Sequence, residues 1–180
     1  MKALLDACVL YPTVLREILI GVAQAGLYTP LWSDRILEEW ARATVKLGPG
    51  AELVARGEIA ALRAGFPKAA VVPHEGLEAR LWLPDPADIH VLAAAIAGNA
   101  DLILTFNAAD FPRHTLGEEG LRREDPDAFL LALWQEHPDA VARVVEAVRA
   151  EAERLSAEVQ PLRPLLKRAR LPRLGKALCG

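Results

Sequence analysis

Ile89-His90-Val91-Leu92-Ala93-Ala94-Ala95-Ile96-Ala97-Gly98-Asn99-Ala100-Asp101-Leu102-Ile103-Leu104-Thr105-Phe106 reads as one unit of structure. Residues 90–97 form a strongly helical run, Gly98 and Asn99 stop it, and residues 102–106 are a short apolar run with the length of a buried strand. The same alternation extends toward the start of the chain. Residues 3–8 are apolar, long enough for a buried strand and too short for a helix. Residues 13–25 then place Val14, Leu15, Ile18, Leu19 and Val22 at helical spacing, closed by Gly26. A second strand is expected over 27–32, where Pro30 limits pairing. Ser33 or Asp34 caps a helix carrying Ile36, Leu37 and Trp40 on one side. Gly48-Pro49-Gly50 breaks the chain, 51–64 is helical in composition, 69–72 reads as another strand and 82–88 as a loop rich in Pro and Asp. Strands that are apolar on both faces, alternating with helices, specify a parallel sheet covered by helices. The fold class is therefore α/β, a three-layer α/β/α domain with a central parallel sheet. Residues 125–154 add helical periodicity broken at His137-Pro138.

The chain has 180 residues, 52% of them hydrophobic and 25% charged. That is about one domain, able to bury roughly two-thirds of its unfolded surface. This balance excludes a disordered chain. No apolar run approaches the ~20 residues of a membrane span. The start, Met-Lys-Ala-Leu-Leu-Asp, lacks the apolar core of a signal peptide, so a cytoplasmic location is expected. Cys8 and Cys179 lie far apart without metal-ligand spacing and read as free thiols, Cys8 as a small core residue. The formal net charge is −3, unevenly spread. After Glu158 there is no acid, while Arg163, Lys167, Arg168, Arg170, Arg173 and Lys176 follow.

The acids carry the chemical signal. Asp6 interrupts an apolar strand near its C-terminal end, where ligands bind in open α/β sheets. Asp88 precedes the 90–97 helix, and Asn107 and Asp110 follow the 102–106 strand. Each also has a structural explanation: Asp6 or Asp88 as a helix cap, Asp85, Asn107 and Asp110 as turn residues, Glu39 as a surface glutamate. Taken together, Asp6, Asp88, Asn107 and Asp110 map to one edge of a parallel sheet. Carboxylates converging there repel unless a cation neutralises them. Oxygen donors without Cys or His favour Mg²⁺ or Mn²⁺, a site suited to metal-assisted phosphodiester hydrolysis.

Four blocks in order carry a family resemblance. They are Leu4-Leu5-Asp6-Ala7-Cys8-Val9-Leu10, Ser33-Asp34-Arg35-Ile36-Leu37-Glu38-Glu39-Trp40, Leu83-Pro84-Asp85-Pro86-Ala87-Asp88-Ile89-His90-Val91-Leu92-Ala93-Ala94-Ala95, and Ala100–Asn107 continuing through Asp110-Phe111-Pro112. Over residues 1–112 the chain resembles PIN-domain ribonucleases, and among them the VapC-like toxins of bacterial toxin–antitoxin pairs. The resemblance implies a metal-dependent endoribonuclease. Asp6, Glu39 and Asp88 fall on its metal-binding acids. The family's fourth acid follows the strand as Thr-x-Asp; here the sequence is Thr105-Phe106-Asn107, so Asn107 brings a neutral oxygen and Asp110 is expected to supply the missing carboxylate. The stretch from about residue 125 resembles an extension found on a subset of these proteins.

These readings set the expectations. Residues 1–115 form the nuclease core. Residues 116–180 form a helical extension with a basic tail, compact with the core to about 155. Asp6, Glu39, Asp88 and Asp110 are catalytic, and with Asn107 they hold Mg²⁺ or Mn²⁺. RNA is the substrate, an antitoxin protein and a second copy of the chain are partners, and no membrane is involved. His90, His74, His114 and His137 show no ligand spacing, and His90 reads as a helix-surface residue. Arg16 is a candidate phosphate contact. Two alternatives remain at this level: an RNA-processing nuclease without an antitoxin, and an inactive binding module, motivated by Asn107.

Overall fold

In the computed structural model, which describes residues 1–180, the chain begins with β1 (Lys2–Leu5), α1 (Ala7–Leu10), α2 (Thr13–Gln24), β2 (Thr29–Leu31) and α3 (Asp34–Ala43). It continues with α4 (Ala51–Gly65), α5 (Ile89–Ala97), β3 (Leu102–Leu104), α6 (Arg113–Glu118) and β4 (Arg122–Glu124). Four helices close it: α7 (Pro126–Glu136), α8 (Pro138–Ser156), α9 (Leu162–Arg168) and α10 (Pro172–Cys179). No helix is long and apolar enough to cross a membrane.

The four strands form one parallel sheet in the order β2-β1-β3-β4. Leu4 of β1 sits between Leu31 of β2 and Ile103 of β3, and all three side chains are buried. The expected α/β class with a central parallel sheet and C-terminal helices is what forms. α5 packs against β1 and β3. Its residues His90–Ala95 are all buried, and the run Ala93-Ala94-Ala95 lets the helix lie close to the strands. Pro30 is tolerated because β2 is an edge strand, where a missing N–H costs no ladder bond.

Local chemistry shortens or moves several expected elements. The apolar run 3–8 leaves the strand after Leu5. Asp6 takes an extended backbone at the N-cap of α1, and the N–H groups of Val9 and Leu10 donate to its carbonyl at 3.1 and 3.3 Å. Cys8 is therefore helical. Residues 69–72 do not make a strand. Trp32 forms one isolated bridge with Ala70, with Trp32 N–H donating to Ala69 O and Val71 N–H to Trp32 O. Pro73, which has no N–H, follows an exposed Val72. Between the two candidate caps, Ser33 caps α3, its Oγ accepting from Ile36 N–H at 3.2 Å.

The chain divides into two units. Residues 1–11 and 29–124 make the first, which contains the whole sheet; residues 12–28 and 125–180 make the second. In the second, α2 packs on α8, and α7 packs on α8 and α10. Tyr28 meets Phe129 edge-on at 5.1 Å and donates its hydroxyl to Leu19 O. Asp127 is buried, and its two oxygens accept the N–H groups of Arg173 and Leu174 at 2.9 and 3.0 Å. This carboxylate from α7 therefore satisfies orphan donors at the start of α10.

Candidate active site

The site begins where β1 ends. Asp6 N–H continues the ladder by donating to Leu104 O at 3.2 Å, which places the Asp6 side chain at the C-terminal edge of the sheet. It occupies the N-cap position of α1 but makes no capping bond. Instead its Oδ2 accepts from the Thr105 hydroxyl at 2.7 Å and from the Cys8 thiol at 3.1 Å. Burial, then the charge of Asp6, pushes the Cys8 thiol up to about 12, so it stays protonated and donates. Both donors land on one oxygen, and Oδ1 keeps its lone pairs for another ligand. Thr105 in turn accepts the Asn107 N–H at 3.0 Å. One hydroxyl thus ties Asp6 to the loop that follows β3.

Glu38 and Glu39 are neighbours in sequence but stand about 100° apart around α3, and their surroundings differ. Glu38 is held by Arg56 and Arg42, whose hydrogen bonds bring its carboxyl down to about 2. Glu39 Oε1 lies 2.9 Å from His90 Nε2 and 3.6 Å from Arg35 Nε. Burial raises the Glu39 carboxyl, with the charge of Asp6 adding to it and Arg35 opposing. Of the pair, Glu39 is the one in the field of Asp6. His90, expected on the helix surface, is buried. Burial, then the charge of Arg35, lowers the imidazole to about 4, so it is neutral and makes no ion pair with the Glu39 oxygen beside it. Its Nδ1 is buried and has no hydrogen-bond partner.

Asp88 closes a single turn of 3₁₀ helix, Pro86–Asp88, and stands at the N-cap of α5 without a capping bond. Its carboxyl is raised to about 6, by burial first and then by the charges of Asp6, Asp110, Asp85 and Glu39. No donor or cation offsets them. Asp85 is the turn residue, its Oδ1 accepting from Ala87 N–H at 2.9 Å. Asp110 is half-buried in the loop after β3, with its N–H donating to Asn107 O. Asn107 is exposed in the same loop, placed by its backbone bond to Thr105. Arg16 lies on α2, in the other unit.

Four acids from distant segments, Asp6, Glu39, Asp88 and Asp110, therefore share one electrostatic field at the sheet edge. As the side chains stand, no three His, Cys, Asp or Glu groups close around a common point. Like charges without a counter-ion favour separation. The donor set is carboxylate oxygen with one nearby amide, and Asp88 has no protein partner, a combination that fits a hard divalent cation. Sequence reasoning missed Thr105, Cys8 and His90. Thr105 and Cys8 lie 97 residues apart, and no local pattern links them. The available signals were a hydroxyl following a run of buried strand and a histidine inside an otherwise apolar helix.

A family model described as PIN domain matches residues 2–109, and one described as VapC50 C-terminal domain matches residues 126–179. No curated protein and no solved structure matches the chain. The first match spans more than half of the 180 residues and includes four of the five candidate ligands; Asp110 lies one residue beyond it. The protein belongs to the PIN domain family.

Proposed function

We propose that this PIN nuclease is an endoribonuclease dependent on Mg²⁺ or Mn²⁺ and the toxin of a toxin–antitoxin pair. The observation that carries the reading is the shared field of Asp6, Glu39, Asp88 and Asp110, felt at Asp88 with no cation to offset it. Asp6, Glu39, Asp88 and Asp110, with the Asn107 oxygen, would hold the ion. A bound divalent ion supplies polarisation of the phosphodiester and of water, and neutralises developing charge. The protein's own part is positioning. Thr105 and Cys8 orient Asp6 so that Oδ1 is presented, and the buried His90 ring lies against one oxygen of Glu39. Asp88, raised to about 6, is mostly ionised at neutral pH and is the group most relieved by a cation.

In this reading residues 1–115 carry the chemistry; residues 116–124 complete the sheet with β4, and the helices from 125 onward form an extension that supplies no ligand. An antitoxin, a second copy of the chain and a cytoplasmic setting follow from the VapC-type family and are part of the proposal. The test is cleavage of end-labelled RNAs by purified protein in Mg²⁺, Mn²⁺ or EDTA, beside Asp6→Asn/Asp88→Asn. Cleavage that needs metal and disappears in the variant supports the reading; equal cleavage by the variant refutes it.

A further inference from the structure

The basic segment after Glu158 is folded. It forms α9 and α10, which pack on each other. Residues 159–180 contain six Lys or Arg and no acid, whereas the preceding 158 residues contain 15 basic and 24 acidic side chains. In that preceding part, eight arginines (35, 42, 56, 63, 80, 122, 149 and 154) are held in ion pairs. By contrast, Arg163, Lys167, Arg168, Arg173 and Lys176 are exposed and make no ion pair. Arg168 reaches only the neutral Gln160 Oε1, at 2.7 Å. Arg163 and Lys167 are neighbours at i,i+4 on α9, and Arg173 and Lys176 at i,i+3 on α10.

The composition of this surface selects its partner. Protein interfaces are built on apolar and aromatic anchors, with charge depleted at their centre. Here Leu165, Leu166, Leu171 and Leu174 are buried, and residues 159–180 contain no aromatic. Val159, ahead of α9, is exposed, but on α9 and α10 themselves the large side chains that are exposed are cationic. A phosphodiester backbone needs only that, because its binding free energy comes from neutralised phosphates and released counter-ions.

We propose that the exposed surface of α9 and α10 is an RNA backbone site, independent of base sequence. Among possible polyanions, RNA is chosen because the inference rests on the ribonuclease reading above; the binding itself requires no catalysis. The site holds the chain through Arg163, Lys167, Arg173 and Lys176, and it contributes affinity rather than chemistry.

The experiment uses the full chain carrying Asp6→Asn, in EDTA, so that RNA stays intact. Binding of a fluorescein-labelled single-stranded oligouridine is followed by anisotropy from 50 to 200 mM KCl. Two double variants, Arg163→Gln/Lys167→Gln and Arg173→Gln/Lys176→Gln, are compared with Lys68→Gln/Arg143→Gln, which removes equal charge elsewhere. Each test double is expected to flatten the slope of log K against log salt by about 1.4, two contacts at ~0.7 each, and to weaken binding about 25-fold at 0.1 M salt. The control double keeps the parent slope. Unchanged slopes in the test doubles overturn the site, as does loss equal to the control's. Binding to phosphatidylserine vesicles without binding to RNA also overturns it, in favour of a membrane partner. Protein that binds RNA through these residues but cleaves none leaves this inference standing and removes the nuclease reading. A nuclease whose doubles bind normally does the reverse.

Discussion

Thr105→Val isolates the hydroxyl that joins the two halves of the acidic site. Valine keeps the size and branching of threonine, so packing at this buried position changes little. The substitution deletes a 2.7 Å hydrogen bond to the Asp6 carboxylate and the acceptor for Asn107 N–H at 3.0 Å. A hydrogen bond to a charged group contributes about 1.5–3 kcal/mol and a neutral one about 1 kcal/mol. The Cys8 thiol remains as a partial substitute on the same oxygen. The expected loss is therefore about 2–4 kcal/mol, read as a lower urea midpoint with an unchanged slope. Because the hydroxyl orients a proposed metal ligand, metal-dependent cleavage should fall about 10–100-fold as well. Thr105→Ser keeps the donor and should recover most of both. If Thr105→Val matches the parent in stability and in cleavage, Asp6 is not positioned by this bond and the reasoning fails.

Three further outcomes follow from the geometry. Asp88 is raised from 3.8 to about 6, so ionising it opposes folding: stability falls as pH rises from about 4 to 6, and the penalty is complete above that. Asp88→Asn should therefore stabilise the metal-free protein at pH 7.5 by about 1 kcal/mol, after discounting for solvent screening, with no gain below pH 4; urea titrations at both pH values decide, and a loss at pH 7.5 contradicts the field assigned to this site. His90→Phe removes the imidazole that lies 2.9 Å from Glu39, and cleavage is expected to drop about tenfold with folding retained; an unaltered rate would mean Glu39 needs no such support. Asp127→Ala frees two N–H groups at the start of α10, at a cost of about 1–3 kcal/mol. Hydrogen exchange at Arg173 and Leu174 should accelerate, and unchanged protection there would refute the cap.

The sheet was legible where its strands are apolar on both faces. β1 and β3 follow from Ala3-Leu4-Leu5 and Leu102-Ile103-Leu104, short runs apolar on both faces as a covered parallel strand requires. β4 was not legible: Arg122-Arg123-Glu124 is charged throughout, and its strand character comes from pairing with β3 at the sheet edge. The helices α9 and α10 were hidden because cations mask the inward leucines and prolines interrupt the run. At the site, Asp6 and Asp88 stood out as acids beside apolar runs. The choice of Glu39 over Glu38 came from family resemblance, and its physical basis is visible only in space, where Arg42 and Arg56 occupy Glu38. Thr105, Cys8 and His90 act through partners distant in sequence, so no local pattern announced them.

The central claim is that these acids form a site for a divalent cation. Carbon-13 carboxyl titration of Asp88, without metal and then in saturating Mg²⁺, tests that claim most directly. The account predicts a midpoint near 6 without metal, moved down by about a unit or more when Mg²⁺ neutralises the field. An Asp88 midpoint that is the same with and without Mg²⁺ would contradict it.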